Sequence, residues 1–361
     1  MNSVIEVNKQ SGPTPQLRRV SIPKILAIGL PLLLLTIILA TAISSTNISP
    51  AAIIAILLDA VGIPSGIDYP ATAYTVIMQI RLPRIMAALF AGCGLAVAGT
   101  IMQGLFRNPL AEPGILGVSA GASLGALIAL VAGAGSFFAL PIYAFAGAFL
   151  AVAIILALSL LTKGSGQTVT LIMSGMAVSA LFSALSSLVL TMGNEYQVAS
   201  YIFWTMGGLA NRRWEHVIAI APIVTMVILI VIFRARDLDI MLLGDEEARA
   251  LGVAPGRTRF LMIILASLAT AAIVSVTGPI GFVGLIVPHI MRMLVGPAHR
   301  PLVVASAIGG SIFLIACDLV TRVLSRPTGA ELSAGVVTAI IGAPYFLYLL
   351  FKSARRGGKL T

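Results

Sequence analysis

Residues 81–105 read RLPRIMAALFAGCGLAVAGTIMQGL, and no residue from Ile85 to Phe106 is charged. A run of about 20 mostly apolar residues is long enough to cross the ~30 Å hydrocarbon layer of a bilayer, where a lone segment satisfies its own backbone only as a helix. Arg81 and Arg84 mark one end of this run and Arg107 the other. The same pattern recurs along the chain. It predicts spans over 25–44, 81–105, 114–134, 138–161, 169–191, 217–233, 260–277, 282–295, 302–323 and 334–351. The expected fold is therefore an all-α polytopic membrane protein of about ten transmembrane helices. The span at 282–295 is the shortest, and it follows the break Gly278, Pro279, Ile280, Gly281, so it reads as a tilted or discontinuous helix. Residues 47–75 read as a loop with a short apolar turn near 53–58.

Composition agrees with this reading. Of 361 residues, 58% are hydrophobic and 10% charged, with a mean hydropathy of +1.04. Soluble domains carry about 25% charged residues, so this chain has too little charge to cover a water-facing surface. One membrane domain, 24–352, stands between a polar tail (1–23) with Pro13, Pro15, Arg18 and Arg19 and a short basic tail (353–361). The apolar run at 25–44 is longer than a signal-peptide core and lacks a cleavage site, which makes it a retained first span. The net charge of +10 does not point to nucleic acid, because the basic residues lie singly between apolar runs with few aromatics among them. An even number of spans puts both termini on one side. With the N-terminal tail inside, only Arg81, Arg84, Arg212, Arg213, Arg322 and Arg326 of the 23 basic residues fall outside. That bias predicts both termini cytoplasmic.

Catalytic chemistry has no foothold. No phosphate-binding loop of the G-x-x-x-x-G-K-[ST] form is present, and the glycine-rich 162–166 lacks its second half. His216, His289 and His299 are far apart, so no metal site is expected. Cys93 and Cys317 fall inside apolar runs and read as small packing residues. Asp318 is the lone carboxylate within a predicted span, and Arg322 at i+4 supplies it with a structural partner. An ion-coupled secondary transporter needs a titratable group at depth, and Asp318 so paired does not serve. A membrane enzyme needs a convergent polar site, which is missing. A channel is distinguished by conducting without ATP.

Two local patterns point to packing and to a partner. Gly117, Gly121 and Gly125 recur at i, i+4 and i+8, giving one face without side chains, either for close helix packing or for lining a wide pore. The loop 234–259 is the one segment dense in mixed charge. Within it, Gly244, Asp245, Glu246, Glu247, Ala248, Arg249, Ala250, Leu251 and Gly252 read as two helical turns over 245–251. Acidic residues begin the helix and glycine ends it. A solvated loop helix and a helix that docks into a partner both fit.

At these residues the sequence resembles the permease family of importers for iron chelates, haem and cobalamin. The resemblance is carried by RLPR at 81–84, QGLFRNPLAEPG at 103–114, GFVGLIVPH at 281–289 and GVVTAIIGAP at 335–344, in that order. It implies ten spans, a homodimer of permeases, two cytoplasmic ABC ATPase subunits and a periplasmic or lipid-anchored substrate-binding protein, in a bacterial inner membrane. It also implies that 244–252 is the segment coupling to the ATPase. Arg81, Arg84 and Arg322 would pair with carboxylates of the binding protein, and Thr168 with Val169 would form the cytoplasmic gate. Valine stands at the second gate position where a small hydroxyl residue is common, so the gate is expected to be more apolar. No cofactor is expected on this chain; ATP and Mg belong to the partner ATPases. The wording at 104–109 is similar to haem permeases slightly more than to siderophore permeases, with cobalamin behind.

Overall fold

The protein, analysed as a computed structural model, is described over residues 20–43, 48–133, 138–161, 167–325 and 332–355. Among these residues the elements are helices throughout. In chain order they are α1 (Ile22–Ala42), α2 (Pro50–Ala60), α3 (Ala71–Thr75), α4 (Leu82–Phe106), α5 (Val118–Val131), α6 (Ala139–Leu161), α7 (Gln167–Leu190), α8 (Glu195–Thr205), α9 (Trp214–Met241), α10 (Asp245–Ala250), α11 (Pro255–Thr277), α12 (Val283–Val295), α13 (His299–Leu324) and α14 (Ala334–Arg355). Eight stretches are long and apolar enough to cross a membrane, and α5 and α12 are shorter apolar helices. Each of the ten expected spans has its helix.

Helix α4 is the centre. Every residue from Ala91 to Leu105 is buried, and α9, α11, α12 and α13 pack around it. Small residues make this possible. A Cβ at Gly92 would fall on the carbonyl of Gly310 in α13, and one at Gly99 on the carbonyl of Gly284 in α12. Lipid gives helices no hydrophobic reason to associate, so close backbone approach and the dispersion it brings must supply the attraction.

Four expectations change. The loop with one apolar turn expected over 47–75 is, from residue 48 on, largely helical. Ser49 caps α2 through Ala52 N–H, with Pro50 at its first position, and α3 runs through a π-helical turn, Val76–Arg81, into α4. The sixth span's helix continues to Met241 instead of stopping near 233, because Ala235, Leu238 and Met241 keep a buried face at helical spacing, with Arg234 and Asp237 paired on the surface at 3.0 Å. The third span begins late. Pro113–Leu116 is a 3-10 turn, Gly117 is left-handed (φ 66°), and α5 starts at Val118. Gly117 therefore does not share a helical face with the other two glycines and lies against Ser179 of α7. Gly121 and Gly125 do share one, set against the backbone of α6 at Gly147 and Tyr143. The tail 1–19, the glycine-rich 162–166, Arg326 and the last residues 356–361 lie outside the described residues.

The two short helices are linked. Each has 13 or 14 residues, about 20 Å, less than the ~30 Å layer. Gly278 (φ 69°) and Phe282 (φ 68°) turn the chain back before α12. The starts of α5 and α12 meet at a small cavity level with Leu95, midway along α4, where the carboxylate of Glu112 accepts the Phe282 N–H. Asp318 is thus not the lone carboxylate at membrane depth.

The packing account makes a direct prediction. Gly125→Val should cost at least about 2 kcal/mol, since the backbone carbonyl of Tyr143 cannot give way cheaply. Thermal unfolding in detergent checks this, and Gly256→Ala, with open space around it, should leave the midpoint unchanged.

Candidate functional site

The residues expected to carry function gather at the two ends of the bundle. At one end, α10 is fixed by its first residue. Asp245 accepts Arg259 at 3.1 Å from α11, and Arg107 lies 3.6 Å away. Arg107 follows α4 in a left-handed conformation and also donates to the Met241 carbonyl at 2.7 Å. Ala248 is fully buried beneath the short helix. Gly244 (φ 139°) admits the chain to α10, with the Glu247 carboxylate folded over it. Gly252 (φ 82°) closes it: Gly252 N–H bonds the Arg249 carbonyl and Val253 N–H the Ala248 carbonyl, the paired bonds of a glycine-terminated helix. Glu246, Glu247, Arg249 and Leu251 remain exposed, Leu251 by 57%. The segment is anchored on one side and presents acidic and apolar groups on the other.

Neighbouring ends are joined to the same place. Asp239, near the end of α9, accepts both the backbone N–H and Nδ1 of His299 at 2.9 and 2.7 Å, a carboxylate at the start of α13. Gln103 of α4 donates to the Leu285 carbonyl and accepts from Arg292. Val169, at the start of α7, is 59% exposed, and Met173 and Met176 continue that apolar face. Thr168 lies in the same helical turn.

The opposite end holds the arginines. Asp318, 1% exposed, is shared by Arg84 at 2.9 Å and Arg322 at 3.1 Å. Arg81, 3% exposed, donates to the Thr41 carbonyl at 2.7 Å, and Arg322 to the Ala40 carbonyl at 2.8 Å. These cations meet the unpaired carbonyls that end α1. The three arginines expected at the rim are therefore together, but inside the rim and bonded to the fold. Trp214 ties α9 to the π turn through the Met78 carbonyl at 2.8 Å.

Helix α8 was invisible to a reading by apolar runs. Its signal was present in Asn194 and Gln197, a reciprocal cap in which Asn194 accepts Gln197 N–H and Gln197 accepts Asn194 N–H. Glu112 was missed because it lies between predicted spans in sequence; only the re-entrant fold brings it to membrane depth. Among the described residues no cluster of His, Cys, Asp and Glu suits a metal. Cys93 and Cys317 are free and buried.

Comparison with known proteins adds a family context. The sequence profile of the FecCD transport family matches residues 32–352. A cobalamin import system permease of Halobacterium salinarum is 44% identical over 289 residues, 80% of this chain and 76% of that protein. A hemin transport system permease of Yersinia pestis is 38% identical over 280 residues, 76% of this chain and 83% of that protein. An Fe(3+) dicitrate transport system permease of Escherichia coli is 41% identical over 280 residues, covering 77% and 86%. A solved metal-chelate-type ABC transporter in an inward-facing conformation superposes with a TM-score of 0.80 and 34% identity, over 91% of this chain and 99% of that one.

The buried charge cluster can be tested by itself. Asp318→Asn strands two guanidiniums and should cost ~3–5 kcal/mol, read as a lowered unfolding midpoint of the purified protein; an unchanged midpoint would mean the arginines are held by other groups.

Proposed function

The chain belongs to the FecCD transport family, as a permease subunit of an ABC importer for iron chelates or cobalamin, and we propose that its cargo is an iron chelate, with haem ahead of ferric siderophores. It works as a homodimer with two cytoplasmic ABC ATPases and an external substrate-binding protein, both termini facing the cytoplasm of a bacterial inner membrane. The chain is not itself an enzyme, holds no cofactor, and leaves ATP and Mg to its partners. Cobalamin is the second reading, favoured by the 44% identity to an archaeal cobalamin permease.

The observation that carries the mechanism is the mounting of α10. A helix held at Asp245 by the ends of α4 and α11, yet exposed along Glu246, Glu247, Arg249 and Leu251, suits a groove on a moving ATPase. Movement there bears on α4 and α11, the two most enclosed long helices. The gate at Thr168 and Val169 lies on α7, whose apolar face is open for a second copy to cover. Docking by Arg81, Arg84 and Arg322 fits electrostatics more than exposure. Two guanidiniums share the Asp318 carboxylate and Arg81 adds a third cation at the Thr41 carbonyl, so the cluster keeps excess positive charge with which partner carboxylates could exchange for Asp318.

Leu251→Asp should leave the subunit folded and in the membrane while uptake per ATP hydrolysed falls at least tenfold in the reconstituted importer; normal coupling would remove α10 from the mechanism. Labelled haem, ferric siderophore and cobalamin supplied to a strain lacking the subunit identify the cargo, with selective loss of haem uptake expected and loss of cobalamin uptake alone contradicting it.

A further inference from the structure

At the arginine end, the segment joining α8 to α9 borders a cavity of about 620 Å³. Phe203, Trp204, Met206 and Leu332 form apolar walls, and Arg212 and Ser333 interrupt them. The hydroxyls here are already committed. Ser333 donates to the carbonyls of Met206 and Gly207, and Thr277 to those of Ile273 and Gly278. Two buried donors are not committed. The Nε of Arg212 and the indole N–H of Trp204 are both buried and reach no acceptor among the described residues. Among the described residues none that lines the cavity is acidic. Burial and the neighbouring Arg84 guanidinium lower Arg212 to about 10, so it stays a cation at neutral pH.

Buried donors without acceptors are costly, and each one in a native fold calls for an explanation. A wall whose one charged side chain is a cation, with its hydroxyl protons occupied, favours an anionic group that accepts. The planar fork of a guanidinium matches a carboxylate, and the aromatic and aliphatic walls cover an apolar body attached to it. A carboxylate reaching from a docked protein would meet the exposed Arg213 first. Arg212, set into the cavity, suits a small ligand.

We infer that this cavity is an entry subsite for the carboxylate arm of the cargo, with Arg212 binding the anion and Trp204 supplying a second donor. The identity of the ligand as cargo rests on the importer reading; the anion site itself needs only this chain. The site favours carboxylated chelates over neutral ones at the mouth of the permease.

The test is calorimetric titration of the full-length chain in lipid nanodiscs with citrate, and with its neutral trimethyl ester at matched ionic strength. Saturable citrate binding is expected, at least tenfold weaker in Arg212→Gln, partly kept in Arg212→Lys and weakened in Trp204→Phe, with none for the ester. Equal binding by wild type and Arg212→Gln, equal binding of the ester, or no saturable binding would overturn the site. In the complete importer, Arg212→Gln should raise the apparent KM for a carboxylated chelate without changing the affinity of the binding protein. If it weakens docking and leaves citrate binding intact, the carboxylate belongs to the partner and the inference fails. Failure of the importer reading looks different: no ATP-driven uptake of any chelate, while citrate still separates wild type from Arg212→Gln.

Discussion

Helix α4 can be enclosed on all sides because glycine replaces side chains where its neighbours cross it. Gly92 meets Gly310 of α13 backbone to backbone, and Gly99 meets Gly284 of α12. In water, burial of larger apolar groups would drive such an assembly; in lipid, contact distance has to do it. The enclosed helix then links the two ends of the molecule. Arg81 and Arg84 stand at its start and Arg107 just past its end, about 39 Å apart at 1.5 Å per residue. One end joins the cluster around Asp318, the other the anchor of α10.

Charge is handled differently at the two ends. Around Asp318 the arginines are turned inward, held by one carboxylate and by the carbonyls that finish α1. Around Asp245 the ion pairs hold only the first residue of α10, and the remaining charged groups face outward. The first arrangement locks helices to one another. The second leaves a short helix firmly rooted and exposed along Glu246, Glu247, Arg249 and Leu251.

Apolar run length made the ten spans legible, since a chain with 10% charge leaves few other ways to read such runs. The i, i+4 pairing of Asp318 with Arg322 was also readable, and the structure has it at 3.1 Å. What escaped was anything set by backbone direction. Residues 114–117 read as the opening of a span, yet the left-handed Gly117 starts α5 later, and that displacement brings Glu112 to the start of α12. The inward turn of Arg81 was equally hidden, because sequence gives a residue's height in the membrane but not the neighbour it faces. Arg212 and Trp204 come to line one cavity only through the α8–α9 connection, which no apolar period reports.

Glu112 gives the energy source a sharp test, since a carboxylate at membrane depth is what an ion-coupled carrier would use. The direct measurement is chelate uptake by proteoliposomes holding the permease, its ATPases and the binding protein, with ATP and a proton gradient supplied separately. The account predicts uptake that requires enclosed ATP, stops with vanadate and is indifferent to a protonophore. Uptake driven by the gradient without ATP, and lost in Glu112→Gln, would contradict it.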